Sequence, residues 1–196
     1  QSAVNSFGAN VIAGFTAAGR VENLTNIPMS GLGVATQTFV GQNYGARNYE
    51  RITKSVKKIF IADIVVSVIM SLTLYLIGLP TVSLFMTEPN AAIMAAAKQY
   101  IIATAECYSL VAILFVLRNT LQGLGFTYSN MIAGAGEFFG RLAVAFIFTK
   151  IIGFNAVCYA APAAWLLADI PLAIIYLSKH KKFKALAAEQ KAKNNI

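Results

Sequence analysis

"GQNYGARNYERITKSVKK", residues 41–58, separates two apolar segments and carries five basic residues. Gly41 and Gly45 are four positions apart and are followed by Ala46 and Arg47, so the spacing and the Lys-Ser/Thr pair of a phosphate-binding loop are absent. Small residues at this spacing predict close helix packing at the end of the first segment. After Asn48 the apolar residues recur at helical spacing, away from the lysines, which predicts an amphipathic membrane-surface helix over about 47–58.

The composition predicts a membrane protein. Hydrophobic residues make up 57% of the 196 residues and charged residues 12%, compared with about 25% charged in soluble domains. A soluble domain of this length could not bury so much apolar surface. The net charge of +8 would suit a nucleic-acid partner only if the basic residues formed one surface. They are instead concentrated in residues 47–58 and 179–196, which indicates membrane topology and no nucleic acid.

Five apolar segments are long enough to cross a bilayer, since about 20 helical residues span ~30 Å of hydrocarbon. They cover about 9–40, 59–79, 91–117, 131–152 and 156–177. Pro28 predicts a kink or break in the first segment, because proline lacks an amide donor. Gly78-Leu79-Pro80 and Glu88-Pro89-Asn90 predict turns on either side of a short interfacial piece, residues 81–86.

The positions of Lys and Arg predict the orientation of the chain. The connection before the second span and the tail 179–196 are rich in Lys and Arg, whereas the connection 78–90 has none. The positive-inside rule therefore puts the first two in the cytoplasm and the third outside. Five crossings then put Gln1 outside, so we expect an upstream helix and a chain that is a fragment of a longer protein. The expected location is the plasma (inner) membrane, multi-pass, with a cytoplasmic C-terminus.

Several sequence motifs resemble one transporter family. "NIPMSGLGVATQTFVGQNYGARNYERI" (26–52) resembles the eighth transmembrane region of multidrug and toxic compound extrusion (MATE) transporters, most specifically at Gly41, Gln42, Asn43 and Gly45. The preceding stretch, 4–24, is similar to the family's approach to that helix. "RNTLQGLG" (118–125), "GEFFGR" (136–141) and "APAAWLLADIP" (161–171) resemble its tenth, eleventh and twelfth helices.

The resemblance implies an all-α fold of twelve helices in two six-helix lobes. Residues 1–178 would supply helices eight to twelve of the C-terminal lobe and 179–196 a basic tail, leaving the seventh helix and the N-terminal lobe of the same protein missing. It also implies a Na⁺- or H⁺-coupled antiporter, not an enzyme, that exports organic cations or drugs by alternating access without an organic cofactor. The alternatives are a lipid-linked oligosaccharide flippase of the same superfamily and a membrane scaffold without transport.

Ionisable residues inside a span cost of order 3 kcal/mol each and are therefore functional candidates. Glu106 lies near the middle of the third segment, with no basic residue at helical spacing from it. Such a carboxyl group can take up a proton or hold a cation, so Glu106 is a candidate for Na⁺, and the sequence indicates no other metal site. The alternative is a structural carboxyl group that is hydrogen-bonded to Tyr108 or Ser109.

Two further pairs lie in the last two segments. Asp169 and Trp165 share a helix face, a combination that suits an organic cation but also occurs in ordinary helix contacts. Glu137 and Arg141 are four positions apart, which predicts an ion pair. That pair is either structural, beside Gly136 and Gly140, or a gate that breaks during transport.

Polar residues at the predicted helix ends complete the candidates. The amides of Asn119, Gln122, Gln42 and Asn43 either line a cavity mouth or satisfy helix termini.

The remaining intramembrane charges have structural interpretations. Asp63 is five residues past Lys58 and is expected to pair with the basic cluster. Arg20 and Glu22 are two apart and are expected to mark the outer boundary of the first segment.

Overall fold

The computed structural model describes residues 7–86 and 90–194, with side chains through residue 189. The turn predicted at Glu88-Pro89 lies outside the described residues. Within them every regular element is a helix, which confirms the all-α prediction. The helices are α1 (Ala9–Gly45), α2 (Tyr49–Ser83), α3 (Ala91–Glu106), α4 (Tyr108–Gly123), α5 (Tyr128–Ala143), a π-helical turn (Val144–Phe148), α6 (Thr149–Ile152), α7 (Phe154–Cys158) and α8 (Ala160–Asn194).

Helix α1 continues through Pro28, so a break at this residue is wrong, and the alternative of a kink stays a prediction. Proline is tolerated inside membrane helices where hydroxyl groups and neighbouring helices compensate for the lost hydrogen bond. Helices α2, α3 and α4 all pack against α1.

Helix α2 contains both the predicted amphipathic helix and the predicted second span. The Asn48 side chain caps its first turn by accepting from Arg51 N at 3.2 Å, and Pro80 lies inside the helix. The turn predicted at Gly78-Leu79-Pro80 is therefore wrong, and the piece 81–86 is not separate. The Thr81 hydroxyl donates to Ile77 O at 2.7 Å, which holds the last turn together.

The other predicted spans are interrupted or extended. Helices α3 and α4 meet at Cys107 with a bend of 53°, so residues 91–117 are not one straight helix. The chain of α5 continues through the π-helical turn, where the Thr149 hydroxyl donates to Val144 O at 2.9 Å. Helix α8 passes through Pro171 and includes most of the predicted tail.

Three described helical segments are long and apolar enough to cross a membrane: Tyr49–Ser83, Tyr128–Ile152 and Ala160–Glu189. The bent pair Ala91–Glu106 and Tyr108–Gly123 makes a fourth if it is one span. The segment 9–40 is not among them, and its crossing of the bilayer stays a prediction.

Close helix packing occurs at some of the glycines named from the sequence and not at others. A Cβ atom at Gly45 would meet nothing within 4 Å, and one at Gly41 would make an ordinary 3.5 Å contact with Gly123 O. The prediction of close packing is therefore wrong for Gly45, while Gly41 lies against the backbone of Gly123 in α4. Helices α1 and α4 also meet at Gly33 and Gly123, where an added Cβ atom would lie 2.5 Å from Asn119 Nδ2 and 2.6 Å from Gln37 O.

The basic end of α8 packs against the loop between α1 and α2. Phe183 is buried, stacks on Tyr49 with ring centroids 5.8 Å apart and meets Tyr44 edge-on at 5.7 Å. Val40 and Ile52 belong to the same apolar cluster. This contact fixes where the lysines of α8 lie relative to those of α2.

Candidate functional site

A cavity of about 470 Å³ lies within the helix bundle, between α1, α3, α4, α5 and α8. Its aromatic lining comes from Phe15, Tyr100, Phe115 and Trp165, and its charged lining from Glu22, Glu137, Arg118 and Arg141. Ligand pockets of about 300–1,000 Å³ with apolar walls and a few convergent polar groups are typical of small-molecule sites. We call this space the bundle cavity.

Glu22 is the most buried acid of the bundle cavity, with 8% of its surface exposed. Its carboxylate accepts from the Tyr100 hydroxyl and from Asn26 Nδ2, the latter at 3.3 Å. The Tyr108 hydroxyl donates to the Glu22 carbonyl oxygen at 3.4 Å. Arg141 acts on Glu22 electrostatically without a direct ion pair. Glu22 is thus a carboxylate held by neutral donors beside an open space.

Glu22 was missed as a site residue from the sequence, because Arg20 and Glu22 were expected to mark the outer boundary of the first segment. Arg20 and Glu22 do point to different faces, since Arg20 is exposed. Helix α1 continues on both sides of Glu22, and a membrane boundary at these two residues stays a prediction. Gly14 and Ala18, at intervals of four before Glu22, are buried, and this small-residue stripe is the signal that could have placed Glu22 inside.

The other charged residues that line the bundle cavity are Arg118, Glu137 and Arg141, and they contact one another. Arg118 of α4 donates to Glu137 Oε1 of α5. Arg141 Nη2 lies 3.7 Å from Glu137 Oε2. The predicted pair of Glu137 and Arg141 is present, but its contact is long. The shorter contact to Glu137 comes from Arg118, which is nineteen residues away in sequence. Spacing along one helix could not predict a partner from another helix.

Asp169 is not among the residues that line the bundle cavity. It is 6% exposed, and neither carboxylate oxygen has a hydrogen-bond partner among the described residues. Arg118 and Glu137 both act on it electrostatically. Trp165 lines the cavity and meets the Tyr108 ring edge-on at 6.4 Å. The structure therefore does not bring Asp169 and Trp165 into one site.

Replacing Arg118 by glutamine should destabilise the protein by about 1–3 kcal/mol, because Glu137 would lose its close charged partner inside the bundle. Arg141→Gln is the matched control, since the Arg141 side chain is 60% exposed and its contact is longer. Its effect should stay below about 1 kcal/mol. Thermal unfolding in detergent measures both. Equal shifts of the unfolding temperature in the two variants would contradict the interpretation that Arg118 is the main partner of Glu137.

Glu106 lies outside the bundle cavity. It is the last residue of α3, at the 53° bend, and is exposed. The Tyr159 hydroxyl donates to its Oε2 at 3.0 Å. This partner differs from Tyr108 and Ser109, the partners considered from the sequence.

The predicted amides lie near helix ends, away from the cavity lining. Asn119 and Asn43 are buried and donate to the carbonyl oxygens of Phe115 and Phe39, each at 2.8 Å. Gln42 lies in the last turn of α1, where its backbone carbonyl oxygen accepts from Ala46 N at 3.1 Å. Gln122 is half-buried near the end of α4. The cavity lining includes none of the four amides.

Asp63 of α2 is fully buried. Neither of its carboxylate oxygens has a hydrogen-bond partner among the described residues. The prediction that Asp63 pairs with the basic cluster is therefore wrong, because it points into the bundle while Lys57 and Lys58 are exposed.

Comparison with known proteins identifies relatives of the chain. The family profile MatE matches residues 1–147. The probable multidrug resistance protein YpnP of Bacillus subtilis is 27% identical over 125 residues, covering 64% of this chain and 28% of that protein. The probable multidrug resistance protein NorM of Thermotoga maritima is 27% identical over 144 residues, covering 73% of this chain and 31% of that protein.

The chain thus spans less than a third of the length of these curated relatives. The family match covers most of its residues, including α1 to α5 and every charged residue of the bundle cavity. The resemblance predicted from residues 26–52 is confirmed. The chain belongs to the MatE family of all-α membrane transporters.

Proposed function

We propose that the chain is part of a cation-coupled antiporter that exports organic cations or drugs across the plasma membrane. The observation that carries the proposal is Glu22, a buried carboxylate with neutral hydrogen-bond donors in a cavity of the helix bundle. An acid inside a membrane protein is costly and favours a role in ion or substrate binding. The family match and the names of the relatives support transport rather than catalysis.

The charges of the bundle cavity provide a physical link between ion and substrate. With Glu22 ionised, two acids, Glu22 and Glu137, balance two bases, Arg118 and Arg141. A proton or Na⁺ on Glu22 leaves one net positive charge, which opposes an organic cation beside it. The aromatic wall of Phe15, Tyr100 and Trp165 supplies faces that attract a cation. Ion and substrate therefore compete for the same carboxylate.

Alternating access requires a partner for this bundle. We propose that the N-terminal lobe of the same protein supplies it and that the C-terminus is cytoplasmic. We also propose that the transporter uses H⁺ or Na⁺ as coupling ion and no organic cofactor. The two lobes would open the cavity to each side of the membrane in turn. Ion binding to Glu22 on one side then favours release of the organic cation.

A flippase for pyrophosphate-linked lipids is the alternative, and it needs basic groups that are free to bind phosphate. In the bundle cavity Arg118 donates to Glu137, and Arg141 lies near the same carboxylate. These contacts favour the antiporter over the flippase.

Transport by the whole protein in proteoliposomes tests the proposal. An imposed H⁺ or Na⁺ gradient should drive a cationic dye against its own gradient, and an ionophore that dissipates the driving ion should stop it. Comparing the two gradients identifies the coupling ion. Dye movement that is indifferent to both gradients would refute the antiporter, and transfer of a labelled pyrophosphate lipid instead would support the flippase.

A further inference from the structure

A second groove lies at the surface, between the first turns of α2 and the basic part of α8. Its volume is about 690 Å³. Lys54, Lys57, His180 and Lys184 line it together with apolar side chains. The bundle cavity shares no lining residue with it.

The groove carries an excess of positive charge. Three of its lining residues are lysines, and none is acidic. Glu50 pairs with Lys54 at 2.6 Å, which leaves Lys57 and Lys184 as the main cationic groups. His180 Nδ1 lies 3.3 Å from the Tyr176 hydroxyl. The neighbouring acid on α2, Asp63, is buried in the bundle and does not line the groove.

The groove also has a long apolar wall. Phe60, Ile61 and Leu177 line it, and Ile61 and Leu177 are more than half exposed. Exposed apolar side chains continue along α2 beyond Ile61, on a helix long and apolar enough to cross a membrane. The wall is thus continuous with a surface that suits acyl chains.

Lysines beside an apolar wall at the end of a spanning helix match both parts of an acidic phospholipid. Basic pockets between transmembrane helices bind anionic head groups in this way. We propose that this groove binds one acidic phospholipid, with its phosphate between Lys57 and Lys184 and an acyl chain along Phe60, Ile61 and Leu177. A soluble phosphate would use the lysines but leave the apolar wall uncovered.

The fold holds the two lysine-bearing helices together at this place. Phe183, next to Lys184, packs on Tyr49 of α2, and Val56, next to Lys57, is buried in the same cluster. The two lysines therefore have fixed backbone positions, which distinguishes a built site from a diffuse basic surface.

Lipid binding to the intact protein in detergent tests the proposal. Native mass spectrometry with equal amounts of phosphatidylglycerol and phosphatidylcholine should show preferential retention of phosphatidylglycerol. The Lys57→Gln/Lys184→Gln variant should bind phosphatidylglycerol about tenfold to thirtyfold more weakly, since each lysine near a membrane surface contributes about 1 kcal/mol. Both side chains are exposed, so this variant should fold.

The matched control is Lys58→Gln/Lys181→Gln, which removes two exposed lysines from the same helices but not from the groove. Its affinity should stay within about twofold of the wild type, because such rim charges are largely screened. Equal losses in both variants would overturn the proposal in favour of diffuse attraction. Equal retention of the two lipids would also overturn it, as would inorganic phosphate that displaces the lipid at comparable concentration.

Discussion

Glu22→Gln in the whole transporter should reduce gradient-driven efflux of an organic cation by about thirtyfold or more. Glutamine keeps an oxygen that can accept from the Tyr100 hydroxyl but carries no charge for a proton, Na⁺ or organic cation. Loss of one partner of a buried charge contact costs about 2 kcal/mol or more, which corresponds to a factor of about 30. Stability should not fall, because the variant no longer buries a charge. Initial efflux rates in proteoliposomes measure the effect.

Two further variants, each with glutamine in place of a glutamate, are the controls for that result. Glu189→Gln alters an exposed carboxylate near the end of α8 and should transport like the wild type. Glu106→Gln tests the acid at the α3–α4 bend, which lies outside the bundle cavity. Full activity of Glu22→Gln together with loss in Glu106→Gln would place coupling at the bend and refute the assignment to Glu22.

The class of fold could be predicted from the sequence, because bilayer physics demands long apolar helices. The helix ends could not, because Gly78-Leu79-Pro80 and Pro28 are turn or break signals, and yet α1 and α2 continue through both prolines. The opposite error occurred in the segment 91–117, where no proline or glycine marks the bend at Cys107. Packing between helices determines where these helices end or bend, and the local sequence does not contain that information.

The site was harder to predict than the fold. Trp165, Glu137 and Arg141 were singled out from the sequence, and all three line the bundle cavity. Glu22 and Arg118 were missed, because their partners Tyr100 and Glu137 come from other helices. Periodicity shows which residues share a face of one helix, but the lining of a cavity depends on which helices pack next to one another.

Helices α5 and α8 form the most extensive helix contact of the described bundle, and two glycines make it possible. A Cβ atom at Gly136 would lie 2.8 Å from Leu167 O, and one at Gly140 would lie 2.8 Å from Ala164 Cα. Both obstacles are backbone atoms, so no side chain can rotate away. Close approach through small residues is how membrane helices gain packing energy.

The Gly136→Ala/Gly140→Ala variant should therefore lose about 2–6 kcal/mol of stability, since overpacking costs about 1–3 kcal/mol at each site. Moving α5 away from α8 would also shift Glu137 and Arg141, so ligand binding to the bundle cavity should weaken together with stability. Gly134→Ala is the control on the same helix, because a Cβ atom there meets nothing within 4 Å. That variant should be as stable as the wild type or up to about 1 kcal/mol more stable, as alanine favours helix over glycine. Unfolding temperature and dye affinity in detergent measure both variants, and a double variant as stable as Gly134→Ala would contradict backbone contact as the basis of the α5–α8 interface.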